Sequence, residues 1–253
     1  MKLSNSPNGN LKRNITEITE LAHKQNNTFV DIGASNGWYS EASHRVGFSN
    51  IYSFEPRTDT ELQQRCSPYS IINQCAVSDY EGLSDFYHVP KNPNISSLAR
   101  PFGRHGQAQH FDIISVPVRP LDSFNIENID LIKIDVEGNE LAVLKGAVNT
   151  LQNNSVALII EMSRDHNKIL KFLKELNYEP CGFHWHTDVF PISNDLTFDN
   201  YREKVVWNVS NTSFDPRDSK KYVREHLQDR DKYDYNSHYP IWGDFIFKTN
   251  KGT

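Results

Sequence analysis

Short apolar segments alternate along the chain with stretches in which apolar residues recur at helical spacing. The apolar segments predict five buried strands, at residues 28–32, 51–54, 71–77, 131–136 and 156–162. The helical spacing predicts helices at residues 11–25, 139–151 and 165–176. Near-continuous apolar strands that alternate with helices are typical of a parallel sheet covered by helices on both faces. The pattern therefore predicts an α/β fold.

A parallel sheet of this kind binds its ligands at the carboxyl ends of its strands. The first predicted strand runs into a glycine turn at residues 33–37. Each of the other four is followed or closed by a carboxylate, at Glu55, Asp79, Asp135 and Glu161. These strand ends are therefore the first place to search for a functional site.

The composition limits the classes of partner. The chain of 253 residues has 27 basic and 32 acidic residues and a formal net charge of −5. A protein that wraps nucleic acid needs a basic stripe, so this charge argues against nucleic acid. No apolar run approaches the roughly 20 residues of a membrane span, and residues 1–10 are polar, unlike a secretory leader. We therefore expect a cytoplasmic protein that does not contact a membrane.

The chain is expected to have three parts. Residues 1–27 form an N-terminal helical segment, residues 28–212 form the α/β domain, and residues 213–253 form a C-terminal extension that packs on the domain. Within the extension, residues 241–247 (IWGDFIF) predict a last strand or a docking segment. A polar loop at residues 90–109 is long for a compact domain, which is typical of a functional or mobile loop.

The strand-to-helix turn lies in the segment FVDIGASNGWYS. Gly33 and Gly37 allow the backbone to approach a ligand closely, although a tight turn without a ligand fits these two glycines equally well. Glu55 lies about 20 residues further on, where a carboxylate can accept hydrogen bonds from both hydroxyls of a ribose. The combination favours a nucleoside site over an exposed carboxylate. Ser78 or Asp79 could contact the edge of an adenine, or could form a solvated turn.

Several segments in the same order resemble the FkbM family of S-adenosylmethionine-dependent methyltransferases. The shorter ones are VDIGASNG, SFEP, AVSDYEG, SSL, PLDSF and LIIEM, and the most specific is IDLIKIDVEGNELAVLKGA at residues 129–147. One departure is Ser35, which stands where the family often has Asn. Because serine keeps a polar group there, we expect cofactor binding to be retained.

The resemblance implies a class I methyltransferase fold: Rossmann-like, doubly wound, with a mostly parallel seven-stranded sheet, a reversed last strand and helices on both faces. It also implies S-adenosyl-L-methionine as the cofactor. The residues expected around its methionine part are Asp31, Gly33, Ser35 and Gly37. Glu55 would bind the ribose, and Ser78 or Asp79 the adenine. The family is associated with O-methylation, often of sugars or natural products.

Methyl transfer to a hydroxyl needs an aligned oxygen and benefits from a general base or a metal. Asp135 and Glu137 end the fourth predicted strand, where alternation places them on the same side. Asp135 could act as the base, bind the amino group of the cofactor or cap the next helix. Asp135 and Glu161 together could bind a hard cation such as magnesium. We expect a site without metal.

A further candidate set lies in the segment HWHTD. On a strand, His184, His186 and Asp188 would share one face. His186 could then be a base oriented by a carboxylate, or these residues could bind a metal. A polar face of a late hairpin explains the same pattern without any chemistry.

The acceptor is expected to bind to the polar loop and to aromatic residues of the later part of the chain. The loop candidates are Asn94, Ser96 and Ser97, and the aromatic candidates are Trp185, Tyr201 and Trp207. Ordinary core packing is an alternative role for each of these aromatic residues. The expected partner is a small-molecule or glycan acceptor. The alternatives are a nucleoside-binding protein without activity, or methylation of nitrogen or RNA.

Overall fold

The computed structural model describes residues 27–58, 60–99, 110–162, 165–185, 188–189 and 244–249, together with Ile15 and Ile18. Ile15 and Ile18 are helical, in agreement with the helix predicted at residues 11–25, and Ile18 is buried beside the sheet. The remainder of that predicted helix lies outside the described residues. Among the helices that the structure describes, none has the length and apolar character needed to cross a membrane.

Eleven strands and five α-helices form within the described residues. The strands are β1 Thr28–Ile32, β2 Asn50–Phe54, β3 Ile71–Asn73, β4 Ala76–Val77, β5 Gly82–His88, β6 Asp112–Arg119, β7 Ile129–Ile134, β8 Ala157–Glu161, β9 Tyr178–Trp185, β10 Asp188–Val189 and β11 Asp244–Thr249. The helices are α1 Trp38–Val46, α2 Leu62–Cys66, α3 Glu140–Lys145, α4 Val148–Asn153 and α5 His166–Glu175.

The main sheet has the strand order β10-β9-β11-β8-β7-β1-β2-β3. The five strands from β8 to β3 are parallel, and β11 is antiparallel to both of its neighbours. The prediction of a mostly parallel sheet with a reversed last strand is therefore confirmed. The two-residue strand β10 extends the expected seven strands to eight by pairing with β9. The chain order reverses between β1 and β7, which is where doubly wound sheets bind ligands.

Apolar side chains cover both faces of this sheet. One layer includes Ile132 and Leu158 of the strands, packed with residues of α3, α4 and α5. The opposite layer includes Leu131 and Ile159, packed with Ala42 of α1 and with Ile18. Alternate residues of β7 and β8 thus face opposite layers, as the period of a strand requires. Burial on both faces explains why these strands are continuously apolar in the sequence.

A second sheet, with the order β4-β6-β5, was not anticipated from the sequence. The strand predicted at residues 71–77 is in fact two strands in two different sheets. Ile71–Asn73 pairs with β2, whereas Ala76–Val77 pairs with β6. The strand prediction failed here because local apolar character does not reveal which neighbour a strand pairs with.

The helix predicted at residues 139–151 is interrupted at Gly146, between α3 and α4. A Cβ atom at Gly146 would lie 1.9 Å from the carbonyl oxygen of Ser78. The backbone after β4 therefore occupies the space in which a side chain at residue 146 would stand. The absence of a side chain at residue 146 therefore allows the backbone after β4 to pack closely against the helical layer.

The last described strand, β11, lies inside the main sheet between β8 and β9. Its Phe245, Ile246 and Phe247 are almost fully buried. The prediction of a last strand near residues 241–247 is confirmed, with the strand at Asp244–Thr249. The described part of the predicted C-terminal extension is therefore an interior strand of the sheet and not an appendage packed on it.

Candidate active site

A cavity of about 470 Å³ lies at the carboxyl ends of β1, β2, β7 and β8. Its volume falls within the range of small-molecule sites, roughly 300–1,000 Å³. The sequence-predicted residues that line it are Asp31, Gly33, Ser35, Glu55, Asn94, Ser96, Asp135, Glu137 and Glu161. Four other sequence-predicted residues are described by the structure but do not line the cavity: Gly37, Ser78, Asp79 and Ser97. The backbone of Trp185 belongs to β9, but its side chain and the whole of His186, Tyr201 and Trp207 lie outside the described part.

The turn after β1 is held against the end of β7. Gly33 has a φ of 82°, and a Cβ atom there would lie 1.8 Å from the carbonyl oxygen of Asp135. The backbone N–H groups of Gly33 and Ala34 both donate to the carbonyl oxygen of Phe54, at 3.0 Å each. Only glycine fits this position, because both the backbone conformation and the lack of space exclude a side chain.

Gly37 requires glycine for a different reason. Its φ is 81°, and a Cβ atom would lie 2.5 Å from Sγ of Cys66 in α2. It begins α1, and its carbonyl oxygen accepts from the N–H of Glu41. The structure thus gives Gly37 a packing role at a helix start, outside the cavity to which the sequence assigned it.

Asp31 lies at the base of the cavity and is buried. Oγ of Ser40 donates to Oδ2 of Asp31 at 2.6 Å. Oγ of Ser53 lies 2.7 Å from Oγ of Ser40 and 2.7 Å from Oγ of Ser70, so that the three hydroxyls form a hydrogen-bonded chain. Burial raises the pKa of Asp31 to about 6, although the Ser40 hydrogen bond and the charge of Lys133 oppose this shift. The carboxyl therefore holds its proton to a higher pH than an exposed aspartate does.

Glu55 forms a buried ion pair with Arg57, a residue that the sequence reasoning missed. Oε1 of Glu55 accepts from Nε of Arg57 at 2.9 Å and from its backbone N–H at 3.1 Å. Oε2 accepts from the backbone N–H of Ser35 at 2.9 Å and has a long contact of 3.5 Å to a terminal guanidinium nitrogen. The carboxylate is thus fixed against the glycine turn.

The loop at residues 92–98 is tied to both sides of the cavity. The Arg57 guanidinium donates to the carbonyl oxygen of Pro93 at 3.0 Å and to Oγ of Ser35 at 3.1 Å. Oγ of Ser35 in turn donates to Oδ1 of Asn94 at 3.3 Å. On the other side, Oγ of Ser97 donates to the carbonyl oxygen of Val136 at 2.8 Å.

The hydroxyls of Ser96 and Ser97 form hydrogen bonds with the protein backbone. Ser97 is almost fully buried, and its hydroxyl also accepts from the N–H of Ala99 at 3.0 Å. The hydroxyl of Ser96 accepts from the backbone N–H of Val89 at 3.0 Å. Of the three loop residues predicted to bind an acceptor, Asn94 and Ser96 reach the cavity, and Ser97 anchors the loop from behind.

Ser78 lies behind the cavity wall and is buried. Its N–H donates to the carbonyl oxygen of Arg119, and its hydroxyl is 3.4 Å from Nδ2 of Asn139. The cavity surface nearest to it is formed by Asn139, Ala76 and Val77. Ser78 and Asp79 are therefore not among the residues that line the cavity, and Asn139 is a polar residue that lines it beside Ala76 and Val77.

Three carboxylates that line the cavity lie close together. Asp135, Glu137 and Glu161 each offer an oxygen within 4.8 Å of the others. β7 ends at Ile134, and Glu137 has a φ of 54°, so a turn and not the predicted strand alternation brings these side chains together. Burial, with the charges of Asp135 and Asp244, raises the pKa of Glu161 well above its usual range. Three oxygens could bind a hard cation, and the metal-free site stays a prediction.

A buried cation, Lys133, lies beneath these carboxylates. Its Nζ is 2.8 Å from Oδ1 of Asp244 and 3.5 Å from Oδ2 of Asp135. Burial alone would lower the pKa of Lys133, but the charges of Asp135, Asp244 and Glu161 outweigh it and raise that pKa. Lys133 is therefore charged and holds the C-terminal strand β11 to the end of β7.

Two aromatic residues that follow the glycine turn also line the cavity. The hydroxyl of Tyr39 donates to Oδ2 of Asp244 at 3.1 Å, and its ring lies 5.1 Å from Nζ of Lys133. The Trp38 ring lies under the guanidinium of Arg65 at 3.6 Å. Sequence reasoning passed over both, although their position directly after the turn marks the start of the helix that borders the site.

Together, the fold and the cavity define a class of protein, a doubly wound α/β domain with a cavity of small-molecule size at the switch point of its sheet. The family model of the methyltransferase FkbM domain matches residues 31–180, which is more than half of the chain. The chain therefore belongs to the FkbM methyltransferase family.

Two curated relatives match part of the chain. The 2-O-methyltransferase NoeI of Sinorhizobium fredii is 29% identical over 157 residues, covering 53% of this chain and 63% of its own length. The hexuronic acid methyltransferase AglP of Haloferax volcanii is 27% identical over 139 residues, covering 50% of this chain and 54% of its own. This chain thus matches less than two thirds of either relative. A solved structure of methyltransferase FkbM from Methylobacillus flagellatus KT is 20% identical, with a TM-score of 0.45, over 72% of this chain and 48% of that one.

The raised pKa of Asp31 predicts a pH-dependent stability. The folded-state pKa of about 6 exceeds the usual 3.8, so the folded protein binds the proton more tightly than the unfolded chain. The stability contributed by this group therefore falls as pH rises between about 4 and 6. Over that interval, wild type should lose up to about 3 kcal/mol of unfolding free energy relative to Asp31→Asn. Urea unfolding of both proteins across the interval measures the difference.

The exposed Asp85 provides the control, because Asp85→Asn removes a carboxylate of the same type without the burial that acts on Asp31. A difference between wild type and Asp31→Asn that does not change with pH would contradict the raised pKa.

Proposed function

We propose that the protein transfers a methyl group from S-adenosyl-L-methionine to a hydroxyl of a sugar or glycan. The observation that carries the proposal is one cavity that joins the glycine turn, the buried Glu55 and a cluster of carboxylates, in a chain of the FkbM family. The cavity lies at the switch point of the sheet, where this type of fold binds nucleoside ligands.

The residues of the cavity fit such a cofactor. The close contact of Gly33 with the carbonyl oxygen of Asp135 brings the glycine turn and the end of β7 to the same cavity, and Oε2 of Glu55 accepts from the N–H of Ser35 in that turn. Asp31 offers a carboxylate for an ammonium group. Among the described residues that line the cavity, six are acidic and two, Arg57 and Lys133, are basic. Acidic groups outnumber basic ones even when Glu161, whose pKa is raised, carries a proton, and this excess favours a ligand with a sulfonium and an ammonium group.

The acceptor class is supported by the relatives. NoeI is named as a 2-O-methyltransferase and AglP as a hexuronic acid methyltransferase. A sugar hydroxyl is the acceptor group that these names suggest for this chain. In the cavity, Asn94 and Glu137 offer hydrogen-bonding groups to such a ligand, and Trp38 offers an aromatic surface.

The bound cofactor would supply an electrophilic methyl group. The protein would hold the acceptor oxygen in line with it and take up the hydroxyl proton. Asp135 is the preferred proton acceptor, because its carboxylate lines the cavity and its side chain is 32% exposed. The loop at residues 92–98 would exclude water while its ties to Arg57 and Val136 hold it over the cavity.

Cofactor binding is the first test of this function. S-adenosylhomocysteine should bind to the wild type in a calorimetric titration. Glu55→Ala should bind about tenfold or more weakly, because an unpaired ribose hydroxyl costs about 1–3 kcal/mol. Glu127→Ala, which removes an exposed carboxylate, should bind like the wild type. Equal affinity of the wild type and a folded Glu55→Ala would remove Glu55 from the ribose site.

The role of Asp135 is tested with Asp135→Asn, which keeps the shape and removes the charge. As a proton acceptor it should leave the affinity for S-adenosylhomocysteine nearly unchanged and lower kcat by roughly 10²–10⁴-fold. The rate is followed as release of S-adenosylhomocysteine in the presence of saccharide acceptors. Asp112→Asn, an exposed change, is the control. A weaker affinity with an unchanged kcat would instead make Asp135 a ligand of the cofactor's ammonium group.

The activity should persist in excess chelator. Lys133 places a positive charge 3.5 Å from Asp135, which offsets part of the negative charge of this cluster without a divalent cation. The same rate assay, with and without ethylenediaminetetraacetate, measures this. Loss of activity that magnesium restores would establish Asp135, Glu137 and Glu161 as a metal site.

A further inference from the structure

Glu55 has little hydrogen-bonding capacity left for a ligand. A carboxylate oxygen accepts about two hydrogen bonds through its lone pairs. Oε1 already accepts two short ones, from Nε of Arg57 at 2.9 Å and from the backbone N–H of Arg57 at 3.1 Å. Oε2 accepts one short bond, from the N–H of Ser35 at 2.9 Å, and its other contact is long, at 3.5 Å.

Arg57 cannot easily leave Oε1. One of its two donors is its own backbone N–H, which a change of side-chain rotamer does not move. Its guanidinium also donates to the carbonyl oxygen of Pro93 at 3.0 Å and to Oγ of Ser35 at 3.1 Å. The residue is only 7% exposed, so that moving the guanidinium would leave several buried groups without partners, which is costly.

An incoming hydroxyl can therefore replace the long contact at Oε2, whereas Oε1 has no free position. We propose that Arg57 is a specificity-determining residue that limits Glu55 to one ribose hydroxyl, so that the site recognises only one hydroxyl of the ribose diol through this carboxylate. The inference rests on the proposed use of a nucleoside cofactor. It predicts that a nucleoside lacking the other hydroxyl is bound almost as well as the complete one.

The test is a set of calorimetric titrations with S-adenosylhomocysteine and its 2′-deoxy and 3′-deoxy analogues. With the wild type, one analogue should bind about tenfold or more weakly, and the other should bind within about threefold of S-adenosylhomocysteine. Equal losses for the two analogues would overturn the inference while leaving the proposed cofactor in place. No binding of S-adenosylhomocysteine at all would overturn the proposed function, and this inference with it.

Arg57→Met provides the second arm, because it frees a lone pair of Oε1. The analogue that the wild type tolerates should now bind about tenfold more weakly than S-adenosylhomocysteine does to the same variant. Arg45→Met, which removes an exposed arginine paired with Glu41, is the matched control and should keep the wild-type pattern. An unchanged preference in a folded Arg57→Met would overturn the role of Arg57. If this variant does not fold, the wild-type comparison of the two analogues still decides the matter.

Discussion

The site depends on the contact between the turn after β1 and the end of β7. Gly33 lies so close to the carbonyl oxygen of Asp135 that no side chain fits between them. This contact brings two groups of residues to one cavity: Asp31 and Ser35 on the side of β1, and Asp135 and Glu137 on the side of β7. A larger residue at position 33 would separate the two sides and with them the binding and reacting parts of the proposed site.

Charge balance is the second constraint on this arrangement. Several carboxylates converge on the cavity, and the buried Lys133 compensates part of their charge through Asp244 and Asp135. Because Asp244 belongs to β11, the pairing also joins the last described strand to the site. Breaking such a buried pair leaves an uncompensated charge, which is strongly destabilising. The C-terminal part of the chain thus contributes to the electrostatics of the cavity and not only to the core.

On the other side of the cavity, one arginine connects the nucleoside end of the site with the loop above it. Arg57 contacts Glu55, Ser35 and the backbone of Pro93. The serines of that loop are used mainly to hold its shape, since Ser97 binds to the backbone beyond β7. The loop and the carboxylate of Glu55 are therefore parts of one hydrogen-bonded unit, and a change in either is expected to affect the other.

The sequence alone determined the α/β class, the positions of the buried strands along the chain and the strand ends that form the site. It could do so because burial on both faces and glycine turns leave local patterns. It identified Asp31, Gly33, Glu55 and Asp135 as cavity residues on the same basis, helped by the family resemblance. Arg57 was not found in this way although it lies two residues after Glu55, since the contacts that fix its guanidinium, with Ser35 and Pro93, join segments more than twenty residues away.

Only the tertiary structure decided how the segments pair. It divided the strand predicted at residues 71–77 between two sheets and inserted β11 between β8 and β9. It also left Ser78 and Ser97 out of the cavity lining to which the sequence had assigned them. Pairing, register and the direction of a side chain depend on partners far away in the chain, and an apolar or polar pattern carries no record of which partner that is.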